Sequence, residues 1–329
     1  MKKKFLIIQT ASIGDVILAT AVVEKLHSYY PDSQIDMMIK KGYEGLFDFH
    51  PYLNKVIAWN KKNNKYKHLF EIWRSVRSEH YDLIVNVQRY AATGFVTAFG
   101  NSKETAGFDK NPFSIFFTRK IRHQIGVPGL HEVNRNNKLI EHITDEVPMR
   151  PGLYPSEQIF EDVKCYKSEE YICVAPCSLW FTKQFPEARW IEFLNLVPDN
   201  LKVYLLGGKD DVDVCERIKN QAVGKNIVSL AGKLSLLESA ALMRDARMNY
   251  VNDSSPMHLA SSQNAKTTAV FCSTVNDFGF GPLSEDSVVV ETRGKLDCRP
   301  CGLHGYKKCP KGHFKCAYDI DINELVNRL

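Results

Sequence analysis

The sequence predicts two successive α/β domains of the doubly wound, Rossmann-like kind. Three observations predict it. Strand-length apolar runs alternate with amphipathic stretches along both halves of the 329 residues, the pattern of a parallel sheet covered by helices on both faces. A Pro-rich stretch from Pro148 to Pro155 breaks that rhythm in the middle of the chain, as a domain linker does. Beyond it the same rhythm starts again. The expected division is 1–155 and 156–329, each half long enough to bury its own core.

In the first half, Phe5–Ile8, Ile35–Ile39, Val56–Trp59 and Leu83–Val87 read as buried strands. The stretches Asp15–Tyr30, Tyr43–His50 and Tyr66–His80 between them carry helical periodicity. Ser156–Tyr166 reads as a connecting helix. The second half opens with strand Tyr171–Ala175, helix Glu187–Val197, strand Leu201–Leu206 and helix Asp210–Ala222. Strand Ile227–Ser229, helix Ser235–Arg244, strand Met248–Val251, helix Pro256–Ser262 and strand Thr267–Phe271 complete it. Two such domains are expected to hold ligand in a cleft between them, with binding loops at the carboxyl ends of the strands.

Composition narrows the class. Hydrophobic residues make up 44% and charged residues 25% of the chain, as in an ordinary globular protein. No apolar run approaches the roughly 20 residues of a membrane span, and the basic start at Lys2-Lys3-Lys4 leads into a strand-length run too short for a signal peptide. A cytoplasmic location is expected. The net charge of +5 is too mild to imply nucleic acid. Lys61, Lys62, Lys65, Lys67, Arg74 and Arg77 crowd one stretch, and Arg119, Lys120 and Arg122 follow Phe113, Phe116 and Phe117. Solvated helix faces explain most such runs; basic groups beside exposed aromatics also suit an anionic lipid or phosphorylated glycan, and so a peripheral contact with a membrane.

Four loops carry candidate chemistry. Gln9 to Leu18 turns from the first strand through Ser12 and Gly14 into a helix, whose unpaired N–H groups suit an anion. It lacks the G-x-G-x-x-G dinucleotide fingerprint. Asp15 there either complements the helix dipole or serves as a general base. Pro176 to Pro186 follows the first strand of the second half, where Ser178, Thr182 and Lys183 suit a diphosphate. At Gly207-Gly208 the backbone turns sharply or approaches a ligand, and Asp211 either holds a ribose hydroxyl or caps a helix. Finally, Asp253, Ser254 and Ser255 precede a helix whose start can take phosphate. His258 in its first turns is either a ligand contact or a histidine packed on the sheet.

Taken together these residues resemble glycosyltransferase family nine, the ADP-heptose:lipopolysaccharide heptosyltransferases. Gly14-Asp15 matches the G-D of the family's first loop. Thr182-Lys183-Gln184-Phe185-Pro186 is similar to its T-K-x-W-P, with Phe185 in place of Trp, and Asp253 to Ala260 is similar to its D-[ST]-G-x-x-H-[LI]-A. His131-Glu132-Val133 and Ser229-Leu230-Ala231-Gly232 match shorter pieces. The chain departs from the pattern at Ser255, where Gly is usual, and at Ala21 and Leu18, where Pro and His occur.

The resemblance implies the two-domain GT-B fold, an acceptor-side first domain and a nucleotide-sugar-binding second one. It implies inverting transfer of heptose from ADP-heptose to an anionic inner-core glycolipid at the inner membrane. Asp15 would be the base and Lys183 would neutralise the leaving diphosphate. The other donor-side residues are those of the four loops: Ser12, Gly14, Ser178, Thr182, Gly207, Gly208, Asp211, Asp253, Ser254, Ser255 and His258. A lysine and a helix N-terminus can stabilise that charge with no cofactor. An epimerase, a transferase for another nucleotide sugar and a non-catalytic glycan-binding protein are the competing readings.

Nine cysteines in a reducing compartment argue against a disulfide framework. Five are scattered. The spacing Cys298-x2-Cys301-x7-Cys309-x6-Cys316 matches no standard finger, yet four clustered soft ligands suit a structural Zn or an iron–sulfur cluster. His304 and His313 stand nearby as substitutes, and four free thiols are the alternative.

Overall fold

A computed structural model describes residues 2–223 and 226–329; Met1, Gly224 and Lys225 lie outside the described residues. The chain divides into two units, Met1–Tyr154 and Pro155–Leu329.

The first unit runs β1 (Lys4–Ile8), α1 (Ile13–Tyr29), β2 (Gln34–Lys40), β3 (Leu53–Trp59), α2 (Lys65–Glu79), β4 (Leu83–Asn86), α3 (Ala91–Phe99), β5 (Glu104–Phe108), β6 (Arg119–Ile121) and α4 (Glu132–Asn137). Its six strands are all parallel in the order β3-β2-β1-β4-β5-β6. Phe5, Leu6, Ile7 and Ile8 are buried without alternation, because a parallel sheet is covered on both faces.

The second unit runs α5 (Glu157–Asp162), β7 (Tyr171–Ala175), α6 (Glu187–Leu194), β8 (Lys202–Leu205), α7 (Val212–Gln221), β9 (Ile227–Ser229), α8 (Leu236–Arg244), β10 (Asn249–Asn252), α9 (Ser255–Ser262), β11 (Thr267–Phe271), β12 (Ser287–Glu291), α10 (Lys315–Tyr318) and α11 (Ile322–Val326). Its parallel order is β12-β11-β10-β7-β8-β9. Counted within the unit, that is again 3-2-1-4-5-6, the Rossmann order. The rule for such sheets places ligands outside the carboxyl ends of the strands where the order reverses. Those strands are β1 and β4 in one unit, and β7 and β10 in the other. The loops carrying Asp15, Lys183 and Asp253 follow β1, β7 and β10; the Gly207-Gly208 turn follows β8, one strand out.

Two expectations fail. Tyr43–His50 forms no α-helix; only Glu44–Leu46 makes a single 3₁₀ turn. Gly45 weakens the middle of that stretch, and Pro51 disfavours helical backbone at His50. The connecting helix is likewise short: α5 ends at Asp162, and Lys164–Tyr166 is a separate 3₁₀ turn. Three strands were also not foreseen. β5 and β6 are edge-side strands with mixed sequences, Glu104-Thr-Ala-Gly-Phe and Arg119-Lys-Ile, and β12 closes the far edge of the second sheet.

Candidate active site

The best-defined constellation lies at the switch point of the second sheet. β7 ends at Ala175, and the chain then crosses to α6 through Pro176–Pro186. Asn252, the fully buried last residue of β10, holds both ends of that crossing. Its Nδ2 donates to the Pro176 carbonyl at 2.7 Å, and its Oδ1 accepts the Phe185 N–H at 2.9 Å. Phe185 packs edge-on against Trp190 with ring centroids 5.1 Å apart, so the smaller ring that replaces the family's Trp still anchors the loop to α6.

Between those anchors a 3₁₀ turn, Phe181–Lys183, presents the lysine. Lys183 Nζ lies 2.6 Å from Asp253 Oδ2, with side chains only 16% and 6% exposed. Thr274 donates its hydroxyl to the same carboxylate oxygen at 2.6 Å. Thr182, beside it, is buried and tied on every side. Its N–H donates to the Tyr306 carbonyl (3.1 Å), and its Oγ1 accepts from the Tyr306 N–H (2.7 Å) and from the Ser273 hydroxyl (3.0 Å).

The other candidates of the second unit lie in the loops after β7, β8 and β10 and on α9. Ser254 donates its hydroxyl to the Asn252 carbonyl at 3.4 Å and the Cys177 carbonyl at 3.5 Å; although it stands at the N-cap position of α9, its side chain accepts no capping bond. Ser255 is the first residue of α9, followed by Pro256 in the first turn. His258 is buried on the same helix. Ser178 takes a hydrogen bond on its carbonyl from Gln184 Nε2.

The turn after β8 is built for closeness. A Cβ at Gly207 would stand 2.7 Å from Asp211 Cβ, and the Asp211 carboxylate accepts the Gly208 N–H at 2.8 Å. Asp211 therefore closes the 3₁₀ turn Lys209–Asp211, and its side chain makes no capping bond to α7, at whose N-cap position it stands. The turn adjoins the Pro176–Pro186 loop through Cys177, whose thiol is pushed well up by hydrogen bonding to Cys215 and by burial, with Asp211 adding to the effect.

In the first unit Ser12 and Asp15 form a reciprocal cap on α1. Asp15 Oδ2 accepts from the Ser12 N–H (3.1 Å) and hydroxyl (2.5 Å), while Ser12 Oγ accepts the Asp15 N–H at 3.4 Å. Gly14 is buried inside the first turn. Asp15 is half-buried, so its carboxylate is both ordered and reachable.

Three residues around this loop escaped sequence reasoning. Thr10 donates its hydroxyl to Gln88 Oε1 at 2.6 Å, joining the ends of β1 and β4. Lys61 turns inward from the basic run and donates to the Thr10 carbonyl at 2.6 Å; burial, then Lys40 and Lys65, lower its pKa to about 8. Glu132, on α4, pairs with Arg135 at 2.7 Å; burial holds its carboxyl up, with Arg135 opposing and Asp15 adding to the rise. Only tertiary packing reveals these, since Thr10 lies in the loop after β1, Lys61 in a basic run and Glu132 at a helix start.

The late cysteines converge on one place. Cys298, Cys301, Cys309 and Cys316 line a cavity of about 130 Å³ together with His313, Thr182, Ser273 and Tyr306. Cys298 Sγ is 3.8 Å from His313 Nε2. Burial and then the neighbouring thiols raise Cys301, and push Cys316 up to about 12. Among the described residues, no three His, Cys, Asp or Glu side chains are drawn together as a ready metal-ligand set. The segment also braces the lysine loop, because Tyr306 bonds Thr182 and the Cys301 N–H donates to the Ser273 carbonyl at 2.8 Å.

Residues 69–306, most of the chain, match the profile of "Glycosyltransferase family 9 (heptosyltransferase)". The chain belongs to glycosyltransferase family 9. Among characterised relatives of this glycosyltransferase, lipopolysaccharide heptosyltransferase 3 of Escherichia coli is 24% identical over 282 residues, covering 80% of this chain and 82% of the relative. The family 9 structure from Veillonella parvula superposes with a TM-score of 0.86 at 21% identity, covering 100% of this chain and 96% of the other. Escherichia coli ADP-heptose LPS heptosyltransferase II gives 0.79 at 20% identity, covering 100% and 97%. The two sheets are thus the Rossmann-like domains of a GT-B glycosyltransferase.

Asn252→Ala is expected to destabilise the glycosyltransferase by about 2 kcal/mol or more, because it leaves a buried N–H and a buried carbonyl unpaired. Chemical denaturation of the purified variant measures this; a stability equal to wild type would remove Asn252 as the clamp of the lysine loop.

Proposed function

We propose that this enzyme transfers heptose from ADP-heptose to a lipopolysaccharide inner-core acceptor, with inversion at the anomeric carbon, at the cytoplasmic face of the inner membrane. The observation that carries the reading is the Lys183–Asp253 pair at the switch point of the second sheet, in a chain of family 9 whose relatives are named for this activity.

In the reaction the acceptor hydroxyl forms a new bond to the anomeric carbon as the bond to the diphosphate oxygen breaks. Asp15 takes the hydroxyl proton. ADP leaves with the bonding electrons, and its growing negative charge is met by the Lys183 ammonium and the N-terminus of α9. Asp253, itself fixed by Thr274, positions the lysine. Ser178, Thr182, Ser254, Ser255 and His258 line the donor side, while the turn of Gly207, Gly208 and Asp211 shapes its wall; Ser12 and Gly14 form the loop that carries the base. This charge handling asks for no cofactor in the chemical step.

A structural ion at Cys298, Cys301, Cys309 and Cys316 is the second part of the proposal. Four soft thiol ligands around one cavity suit Zn or an iron–sulfur cluster, which would hold the segment that braces Thr182. Because no ligand set is already closed among the described residues, the loop would contract around the ion.

Asp15→Asn is expected to lower turnover by about a hundredfold or more with donor affinity nearly unchanged, the behaviour of a lost general base. Product analysis with ADP-heptose and with other ADP-, UDP- and GDP-sugars checks both the role and the donor. Near-normal turnover in the folded variant would remove Asp15 from the mechanism, and turnover with another sugar nucleotide alone would replace the donor. Elemental analysis of protein purified without chelator is expected to find about one Zn, or iron with a cluster chromophore. Four freely titrating thiols and no stoichiometric metal would leave the cavity as a thiol-lined brace.

A further inference from the structure

The basic run that follows β3 divides into two sets with different surroundings. Lys61 and Lys65 turn toward Trp59, their ammonium groups 4.8 and 5.9 Å from its ring. Lys67, Arg74 and Arg77 stay exposed on α2. The two acids of that helix do not match them: Glu79 is engaged by Lys4 and Lys55, and Glu71 alone is left exposed among the cations.

Beside these cations runs a continuous band of rings. Phe70 meets Trp73 (5.1 Å between centroids), Trp73 meets Phe95 (5.5 Å), Phe95 meets Phe99 (5.3 Å), and Phe99 meets Phe116 (5.5 Å). The band starts and ends in solvent. Phe70 is 51% exposed, Phe116 54% and the adjoining Ile115 75%. Arg77 is seated on the band, its guanidinium 5.7 Å from the Trp73 ring and donating to the Phe99 carbonyl at 3.3 Å. Phe70, Trp73, Arg74, Arg77, His80 and Asn101 line an open hollow of about 420 Å³. Beyond Phe116 the chain adds Lys120 and Arg122, both exposed.

We infer that this face of the first unit, formed by α2, α3 and the turn at Ile115-Phe116, docks on an anionic lipid bilayer. Large exposed apolar side chains cost free energy in water and gain it at the acyl boundary of a membrane. Lysine and arginine flanking them gain further from an anionic surface. The apolar groups project outward and do not line an enclosed pocket, which fits a surface better than a small glycan. Among the described residues no helix is long and apolar enough to cross a membrane, so contact through this face would be reversible. The inference draws on the proposed function only for a membrane-borne acceptor. Its test contains no sugar nucleotide, so failing it leaves the transfer reading standing.

The test is co-sedimentation of the full chain with vesicles of phosphatidylcholine alone or mixed with phosphatidylglycerol. Wild type is expected to partition at least about tenfold more strongly to the anionic vesicles, with the preference falling as salt rises. Lys67→Glu with Arg74→Glu should weaken that partition about tenfold or more, and Phe70→Ser with Phe116→Ser by a similar factor. Circular dichroism and thermal denaturation of each variant report on its folding. Should a double variant misfold, Ile115→Ser and Arg74→Glu alone carry the test, each at an exposed side chain. Equal partition of wild type to both vesicles, or variants that bind as wild type does, would overturn the inference. So would binding only to vesicles that carry the glycolipid acceptor, or self-association in solution that these same substitutions abolish.

Discussion

The loops at the switch point of the second sheet depend on one ion pair, Lys183 with Asp253. At 16% and 6% side-chain exposure the two charges are largely out of water, where removing one partner of such a pair costs about 3–5 kcal/mol. Their position is not free to drift. Asp253 follows the central strand β10 and is held by Thr274, which follows β11. Lys183 sits in a loop pinned at both ends by Asn252 and in its middle by Thr182, whose partners come from the loops after β11 and after Cys301. The result is a lysine held against Asp253 just before the start of α9, the arrangement on which the proposed diphosphate site draws.

That arrangement follows from sheet order. Both units build the same six-stranded parallel sheet, and in each the order reverses beside the first strand. Loops leaving the two central strands diverge there and open a crevice. Asp15 and Lys183 occupy equivalent places, each in the loop after the first strand of its own sheet. The equivalence explains why the proposed base of one unit and the proposed phosphate-binding cation of the other arise from nearly the same local architecture.

Much of this was legible in sequence because it rests on local chemistry. Buried strands of a doubly wound sheet are apolar runs, so β1, β4 and β7 announce themselves, and glycine, serine and aspartate after them mark the loops. What was not legible depends on partners distant in the chain. β5 and β6 are short and half polar, and become strands only by hydrogen bonding to β4 and to each other. Tyr43–His50 has helical periodicity, but Gly45 and Pro51 confine it to one turn. The basic run looked uniform, yet Lys61 bonds the Thr10 carbonyl while Arg74 faces water. The cavity shared by the four cysteines joins them to Thr182 across more than a hundred residues of sequence, a link no spacing rule contains.

If Lys183 is the cation that receives the diphosphate, its contribution must appear with ADP and vanish with adenosine, which lacks the phosphates. Calorimetric titration of wild type and Lys183→Met with both ligands measures that difference directly. A charge-assisted contact of this kind is worth about ten- to a hundredfold in affinity. The account predicts that the substitution weakens ADP by about that factor and leaves adenosine binding unchanged. Equal ADP affinity in the two proteins, or an equal loss for both ligands, would contradict it.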